Sequence, residues 1–535
     1  MATIRKYPVG LQNFERVRKD GYVYVDKTPL IHKIISGGKF YFLSRPRRFG
    51  KSLLISTIEA VFSGNRELFE AFTTREGIEQ PALYISQTDW EWNQYPVLRF
   101  DFSSETTTVV QLDNLIDSIL SKYETKYGIV CPKPDFNLRL IDIVETAHSK
   151  TGHRVVVLVD EYDRAMLHSI GQNELAEVVL ERFRNLFSPL KSLDEHLRFV
   201  FITGISKFSQ MGIFSTLNNL ENISMQQQYE CICGITEDEL ISTMLPDIEQ
   251  LAQQRDETFQ ATLENLKYRY DGYHFSGNMR DLYNPYSIVK AFKSGELSDY
   301  WFDSATPKAL IDMLRNMPPL KLTDIEGVEC MASDFDTPFD SYNYPIPVLY
   351  QSGYLTIKGF NPRHGIYTLG IPNDEVRRGF ADALYKYVTT TGETAAPLKS
   401  NVLMKAYYNF YDTGDLTTFV DAIKIFYAGI PYHLTNDNER HYHVILYTLL
   451  TAFGADISAE EPSAKGRADM ILRMPLGIYV IEIKYDGTAD EALAQIHSKG
   501  YADKYRLDNR PLTCVGISFS SQERNITEWK AEGGK

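Results

Sequence analysis

Short apolar runs alternate with longer stretches of helical periodicity over the first 235 residues of the chain. Four of these runs have the length and composition of buried strands, and they are Phe40–Leu43, Tyr95–Ser103, His153–Asp163 and Leu197–Ser206. Between them, apolar residues recur at the spacing of an amphipathic helix. Strands separated by helices are joined by crossovers, which connect parallel strands. The pattern therefore predicts a doubly wound, mainly parallel α/β sheet over residues 1–235.

The pattern turns helical at Thr236. Glu239 follows three residues later, which is the signature of a capped helix start. Short strands with Gly and Pro turns are predicted within Pro345–Leu369, and the chain returns to strands and one helix beyond Glu460. We therefore expect three further parts: a helical lid at 236–330, a small connector at 331–400 and a second α/β domain at 401–535.

Length and composition indicate a globular protein of several domains. The chain has 535 residues, of which 43% are hydrophobic and 24% charged, and this length corresponds to about three or four domains. Its longest strongly apolar run, Val444–Gly454, is well short of the ~18 residues that a membrane helix needs. We expect neither a membrane partner nor a secretory signal. Five scattered cysteines match neither a disulfide framework nor paired zinc knuckles and favour a reducing cytoplasm.

Charge is distributed unevenly along the chain. The net charge is -14, which argues against a protein that coats nucleic acid by bulk charge. Residues 1–60 nevertheless hold 12 basic and 4 acidic residues, a net charge of +8. Residues 431–535 hold 12 basic and 15 acidic residues, a net charge of -3. We therefore expect an anionic ligand near the start of the chain.

The first candidate site is the turn that follows Phe40–Leu43, which reads RPRRFGKS from Arg45 to Ser52. Backbone N–H groups in a turn between a buried strand and a helix can bind phosphate, and here they belong to Arg47, Arg48, Phe49 and Gly50. Lys51 would reach the β- and γ-phosphate oxygens, and the Ser52 hydroxyl would bind Mg²⁺. The Walker A pattern GxxxxGK[ST] has glycine where Arg45 stands. A basic surface loop that caps a helix is the alternative interpretation.

The apolar run Val155–Val159 ends in Asp160 and Glu161, as a Walker B strand does. Asp160 would bind Mg²⁺ through water, and Glu161 would polarise the attacking water. An apolar run followed by two acidic residues is common by itself, but its position after the phosphate loop favours ATP binding. The next strand ends near Ser206, which we expect to sense the γ-phosphate. An ordinary strand-to-loop transition is the alternative there.

These motifs resemble those of the bacterial AAA-ATPase-like family, which is related to the P-loop ATPases. The resemblance rests on RPRRFGKS, VLVDEYD and TGISKFSQMGIFSTLNNLENISM. It extends to YVDKT, YDGYHF, NPYS, GYLTI and IPNDEVR, and so covers nearly the whole chain. It implies a P-loop NTPase fold with a helical lid, followed by a C-terminal α/β restriction-endonuclease-like (PD-(D/E)XK) domain.

The second candidate site lies near the end of the chain. Asp469 precedes a Met-Pro-Leu-Gly turn, and Glu482 and Lys484 share one face of the strand that follows. If the two strands form a hairpin, both carboxylates can bind Mg²⁺, and Lys484 can activate water or stabilise the transition state. A solvated strand face is the alternative. The resemblance adds Gln495 and Tyr501 from the next helix, and related domains often carry an acidic ligand where Glu439 stands.

We therefore predict an ATP-binding protein, an ATPase, coupled to a Mg²⁺-dependent nuclease-like domain that acts on DNA or RNA. The predicted catalytic residues are Glu161, Asp469, Glu482, Lys484 and Gln495. The alternative is a nucleotide-switched regulatory or binding protein with a catalytically silent nuclease-like domain, which Arg45 favours. A metabolic kinase has less support, because no second substrate site is visible. ATP and Mg²⁺ are the expected cofactors, and the sequence leaves a homo-oligomer open.

Overall fold

The chain divides at residue 376 in the computed structural model: the described residues before this position form one unit, and those from it onward form another. The structure describes residues 5–130, 132–165, 173–205, 219–301, 327–336, 346–380, 400–428, 446–447, 450, 455–463, 466–506 and 508–533. Ser206 and Glu439, which the sequence singles out, lie outside these ranges.

A parallel sheet of five strands is the centre of the first unit. The strands of this unit are β1 (Phe40–Ser44), β2 (Phe72–Thr73), β3 (Glu79–Gln80), β4 (Val97–Asp101), β5 (Val155–Asp160), β6 (Leu197–Gly204), β7 (Glu221–Asn222), β8 (Val328–Met331), β9 (Thr356–Asn361) and β10 (Ile366–Gly370). The sheet has the order β4-β5-β6-β1-β7, and all its neighbours run parallel. β1 and β5 are buried along their whole length, as strands covered on both faces are. The predicted doubly wound parallel sheet is confirmed.

Helices cover this sheet. Those of the first unit are α1 (Phe14–Lys19), α2 (Thr28–Gly37), α3 (Lys51–Phe62), α4 (Val109–Tyr127), α5 (Phe136–Thr151), α6 (Asn173–Phe187), α7 (Glu237–Arg255), α8 (Phe259–Tyr270), α9 (Pro285–Ser294) and α10 (Ile346–Ser352). Apolar residues of α4, α5 and α6 share a core with Val155, Val157 and Val159 of β5. α3 contacts β5 and β6, so the helix that starts at the predicted phosphate loop lies beside the acidic strand.

The helical region after the sheet begins as the sequence predicts. Thr236 and Glu239 form a reciprocal capping box at the start of α7, which confirms the predicted helix start. α7, α8 and α9 share an apolar core that also includes Val23 from the N-terminal segment. The Lys27 ammonium donates to both Glu239 carboxylate oxygens, at 2.8 and 2.7 Å, and so connects the N-terminal segment to α7.

The following region agrees with the sequence in part. Val328–Met331 is a short strand that pairs with β10 and lies across the expected boundary between the lid at 236–330 and the connector at 331–400. β9 and β10 confirm the short strands predicted within Pro345–Leu369, but Ile346–Ser352 in the same stretch is a helix. Ile346, Leu349 and Tyr350 are buried at the three- and four-residue spacing of a helix face. The prolines and glycine around this short segment resemble turn signals, which hid its periodicity.

The second unit has its own sheet of five strands. Its strands are β11 (Asp456–Ser463), β12 (Gly466–Met474), β13 (Gly477–Tyr485), β14 (Leu512–Ser520) and β15 (Asn525–Gly533), and its helices are α11 (Ser400–Thr413), α12 (Leu416–Tyr427) and α13 (Ala489–Lys499). The strands lie in sequence order. β13 and β14 run parallel, and the other neighbours run antiparallel. Met470 pairs with Ile481, which confirms the predicted hairpin.

Helices lie on both faces of this second sheet. Leu493 and Ile496 of α13 pack in one core with Val480 of β13. On the opposite face, the Phe410 ring of α11 lies 4.8 Å from the Tyr479 ring. The alternation of Tyr479 and Val480 along β13 therefore directs Glu482 and Lys484 toward α13. None of the helices in the described ranges has the length and apolarity of a membrane span.

Arg45 attaches the start of the phosphate-loop turn to the body of the first unit. Its side chain is 1% exposed and lies 4.2 Å from the centre of the Phe275 ring. The guanidinium donates at 2.7–3.4 Å to the backbone carbonyls of Ser44, Ser224, Tyr229 and Glu230. A planar group with five donors suits several carbonyls at once. Arg45 thus has a structural reason to stand where the Walker A pattern has glycine.

We expect Arg45→Lys to lower the free energy of unfolding of the first unit by at least about 2 kcal/mol, because one ammonium cannot satisfy the buried carbonyls that the guanidinium binds. Urea unfolding followed by tryptophan fluorescence measures this change. Arg48→Lys is the control, because Arg48 is exposed and lies over the Tyr286 ring at 4.6 Å. It should cost less than about 1 kcal/mol. Equal effects of the two substitutions would contradict the structural role of Arg45.

Glu375 is a buried carboxyl group in the first unit. It is 1% exposed and accepts hydrogen bonds of 2.7 Å from the Trp301 backbone N–H and the Ser287 hydroxyl. Burial raises its pKa from 4.5 to about 8, although these two hydrogen bonds and the charge of Arg269 oppose the shift. The folded unit therefore holds a proton on Glu375 at pH values where the unfolded chain has lost it.

The stability that protonated Glu375 contributes is complete below about pH 4.5 and is lost as the pH rises through about 8. A glutamine can accept the Trp301 hydrogen bond with its amide oxygen and donate its amide N–H to the Ser287 hydroxyl, but it never ionises. We therefore expect Glu375→Gln to become more stable relative to the parent as the pH rises over this interval. Urea unfolding at several pH values checks this, and a stability difference that does not change with pH would refute it.

Candidate functional site

The turn between β1 and α3 has the backbone of a phosphate-binding loop. Arg48 and Gly50 adopt left-handed conformations, with φ of 68° and 92°. Gly50 directly precedes Lys51, the first residue of α3, and the space where a side chain at Gly50 would lie is open. The N–H groups of the first helical turn, which have no partner within the helix itself, therefore face an accessible loop, which suits an anion.

Other side chains of the loop hold it in place. Phe49 is buried between the rings of Tyr273 and Phe275, at 4.8 and 5.3 Å. The Arg47 carbonyl accepts a hydrogen bond of 3.1 Å from the Trp301 indole. The Phe49 side chain thus serves as an anchor of the loop. Phosphate contacts of the Arg47, Arg48 and Phe49 backbone N–H groups stay a prediction.

Lys51 lies over the same loop. Its ammonium donates to the carbonyls of Arg45 and Pro46, at 2.9 Å each. Burial lowers its pKa, and the charges of Glu161, Asp163 and Asp160 oppose this shift. Phosphate oxygens would give the ammonium charged acceptors in place of neutral carbonyls, which makes a stronger hydrogen bond. Lys51 therefore fits the role of a phosphate ligand.

Ser52 and Asp160 lie together beneath the loop. Asp160 is 1% exposed, and its Oδ1 accepts a hydrogen bond of 3.0 Å from Thr203. Burial raises the pKa of Asp160, and the nearby Ser52 hydroxyl and the charge of Lys51 lower it. Its Oδ2 is buried and has no hydrogen-bond partner within the described ranges. A hydroxyl beside a carboxylate with a free oxygen is a donor set that suits Mg²⁺.

Glu161 follows at the same end of β5. Its backbone is left-handed, with φ of 50°, which is unusual for a residue with a side chain. Its carboxylate accepts a hydrogen bond of 3.0 Å from Arg164. The side chain is therefore near Lys51 but already engaged by an arginine. Ser206, the predicted γ-phosphate sensor, lies outside the described residues.

Sequence reasoning missed a basic residue beside Asp160. Asp101 pairs with Asp160 across β4 and β5, and Arg99 stands two residues before it on β4. The Arg99 guanidinium lies 3.1 Å from Glu59, 3.6 Å from Asp101 and 3.8 Å from Asp160. The pair Arg99 and Asp101 is visible in the sequence, but only the strand order places it next to the acidic strand.

An apolar cavity of about 100 Å³ opens beside Gly50. Its wall combines four segments: the N-terminal segment, the first turns of α3, the residues before α7 and the helical region. The wall includes Val25, Leu53, Ile232, Met244 and Val289. An apolar space next to a phosphate loop is suited to a planar base. Neither this cavity nor its wall is apparent from the sequence, because the lining residues are far apart in the chain.

The second candidate site is assembled in the hairpin of β12 and β13. The Lys484 ammonium donates to Glu482 at 3.0 Å and to Gln495 at 2.7 Å. The Gln495 amide donates to Glu482 and, at 3.2 Å, to the Tyr501 hydroxyl. Asp469 accepts a hydrogen bond of 2.7 Å from the Ile483 N–H. The structure thus brings the predicted residues together and gives Gln495 a bridging position between Glu482 and Lys484.

Two carboxylates determine the electrostatics of this second site. Burial raises the pKa of Glu482 to about 7, repulsion by Asp469 adds to the shift, and Lys484 opposes it. A divalent cation would reverse this effect, because it stabilises the ionised carboxylate. In the described part of the chain, no group of three or more His, Cys, Asp or Glu side chains is placed to hold a metal ion. Glu439 lies outside that part.

Comparisons with known proteins agree with the two types of domain. Residues 8–214 match the family "Predicted AAA-ATPase", and residues 437–529 match the "PD-(D/E)XK nuclease superfamily". A protein of Azotobacter chroococcum mcd 1 named "Uncharacterized protein in vnfD 5'region" is 33% identical over 547 residues, which cover 99% of each chain. The resemblance found in the sequence is confirmed. The chain belongs to the family that joins a predicted AAA-ATPase domain to a C-terminal domain of the PD-(D/E)XK nuclease superfamily.

Proposed function

We propose that the protein binds and hydrolyses ATP in its first unit and cleaves nucleic-acid phosphodiesters in its second. One observation supports the ATP site most strongly: Ser52 lies beside Asp160, and the Lys51 ammonium contacts the loop that precedes them. The proposed order of parts is an ATPase core at 1–235, a lid at 236–330, a connector at 331–400 and a nuclease-like domain at 401–535.

The surroundings of the loop support a nucleotide rather than inorganic phosphate. The phosphates would contact the backbone N–H groups around Gly50 and the Lys51 ammonium, and the base would enter the apolar cavity beside Gly50. Ser52 and Asp160 would hold Mg²⁺, which neutralises charge on the transferred phosphoryl group. Glu161 would then orient water, for which its carboxylate must leave Arg164.

We expect Lys51→Ala to weaken ATP binding by at least about tenfold, because the charge on the β- and γ-phosphates loses its main partner. Isothermal titration calorimetry measures this affinity. Lys39→Ala is the matched control, because Lys39 contacts Asp194 at the surface, and it should bind ATP like the parent. Unchanged binding in Lys51→Ala would refute the proposed phosphate site.

The ion pair of Glu161 and Arg164 favours a second candidate function, a nucleotide switch that binds ATP without turnover. A carboxylate held by an arginine is not free to orient water. Phosphate release distinguishes the two candidates: a parent that releases phosphate and a Glu161→Gln variant at least about 100-fold slower support an ATPase. ATP retention without phosphate release supports the switch.

The contacts among Glu482, Lys484 and Gln495 support the proposed nuclease site. Glu482 and Asp469 would hold Mg²⁺, whose chemistry is to activate water and stabilise charge on the phosphate. Gln495 keeps Glu482 and Lys484 in place, since its amide binds both side chains. Lys484 would stabilise the negative charge that develops on the scissile phosphate.

We expect Lys484→Ala to slow DNA or RNA cleavage in the presence of Mg²⁺ at least about 100-fold, because the developing charge loses a positioned cation. Cleavage of plasmid, linear DNA and RNA, with and without ATP, measures this rate. Lys499→Ala provides a control on the same helix as Gln495, and it should cleave like the parent because Lys499 is exposed. If Lys484→Ala cleaves as fast as the parent, the nuclease assignment is wrong.

A further inference from the structure

Arg99 is a positively charged neighbour of Asp160 that the phosphate-loop motifs do not include. Its Nη2 lies 3.8 Å from Asp160 Oδ2, the oxygen without a hydrogen-bond partner in the described ranges. The parallel register pairs Asp101 with Asp160, so the side chains of Arg99, Asp101 and Asp160 project from the same face of the sheet. Arg99 therefore reaches the carboxylate at which Mg²⁺ would bind.

The main anchor of Arg99 is a different carboxylate. Glu59 lies two helical turns beyond Ser52 on α3, and its Oε2 accepts a hydrogen bond of 3.1 Å from Arg99 Nη1. The distance of 3.8 Å to Asp160 is too long for a hydrogen bond. Arg99 is therefore bonded to Glu59 and acts on Asp160 through its charge.

We propose that Arg99 is a counter-cation of Asp160 in the nucleotide-free protein, besides Lys51, and competes with Mg²⁺ for this carboxylate. The inference rests on the proposed ATP binding at the loop. When Mg²⁺ and ATP bind, Arg99 keeps Glu59 and Asp101 as partners, so no buried charge loses its counter-charge. Arg99 is thus a positioning residue, and it sets the Mg²⁺ concentration that tight nucleotide binding requires.

The direction in which Mg²⁺ binding changes when Arg99 is removed distinguishes competition for Asp160 from a role in holding Asp160 in position. A positive charge close to Asp160 repels a cation that approaches the same oxygen. Removal of Arg99 should therefore favour Mg²⁺. If Arg99 instead only holds Asp160 in position, its removal should make Mg²⁺ binding weaker.

The test is calorimetric titration of the full chain with ATP at increasing free Mg²⁺, starting in EDTA. We expect the Mg²⁺ concentration that half-restores tight binding to fall about tenfold in Arg99→Ala, since a unit charge leaves the site. Glu59→Gln should raise it several-fold, because Arg99 loses its anchor and turns toward Asp160. Arg99→Lys keeps the charge and should stay closer to the parent than Arg99→Ala does.

Arg66→Ala is the matched control, because Arg66 forms an exposed ion pair with Glu70, and its Mg²⁺ dependence should equal that of the parent. An unchanged or higher Mg²⁺ requirement in Arg99→Ala overturns the inference. If Arg99→Ala does not fold, the direction of the shift in the nearly isosteric Glu59→Gln decides. If ATP binding by the parent does not depend on Mg²⁺, only this inference is overturned. If the parent binds no ATP in any condition, the proposed function is overturned as well.

Discussion

Both candidate sites depend on charged side chains that the fold buries almost completely. Asp160 and Glu482 are 1% and 2% exposed, and burial raises the pKa of each. A buried carboxylate is costly unless a cation or several hydrogen-bond donors compensate it. Each site supplies this compensation with nearby basic residues, Lys51 and Arg99 in the first unit and Lys484 in the second. The strands that carry Asp160 and Glu482 are apolar apart from these two residues and Lys484. Their packing in a rigid sheet keeps these buried groups in fixed positions.

Much of the fold was predictable because its strongest signals are local. Val155–Val159 is a continuous apolar run, so its burial in a parallel sheet follows from the sequence. The capping box of Thr236 and Glu239 depends on two residues that are close in the chain. The helix Ile346–Ser352 was missed because it is only two turns long and lies among turn-forming residues. Short elements of this kind are decided by packing rather than by their own periodicity.

The candidate sites were predictable where their residues are neighbours in the sequence or belong to a motif that joins distant segments, as Ser52 and Asp160 do. Lys51 with Ser52, and Glu482 with Lys484, are close along the chain, and their strand or helix context determines how they project. Arg99 contacts Asp160 because β4 lies beside β5, and a strand order cannot be read from periodicity. The apolar cavity beside Gly50 is also a product of tertiary structure, because its wall combines four separate segments.

Arg45 shows how one position of a phosphate-loop motif can change while the proposed phosphate site at Gly50 and Lys51 is retained. Glycine at the start of a phosphate loop allows close backbone approach, yet the Arg45 side chain leaves the loop and binds carbonyls in the body of the unit. The part of the loop that faces the ligand keeps its glycine at Gly50, where the backbone is left-handed. Arg45 is therefore weaker evidence for a site that binds ATP without turnover than the sequence suggests, because its side chain anchors the start of the loop. In the proposed ATPase, turnover would instead be restrained at Glu161, whose carboxylate would have to separate from Arg164 before it could orient water.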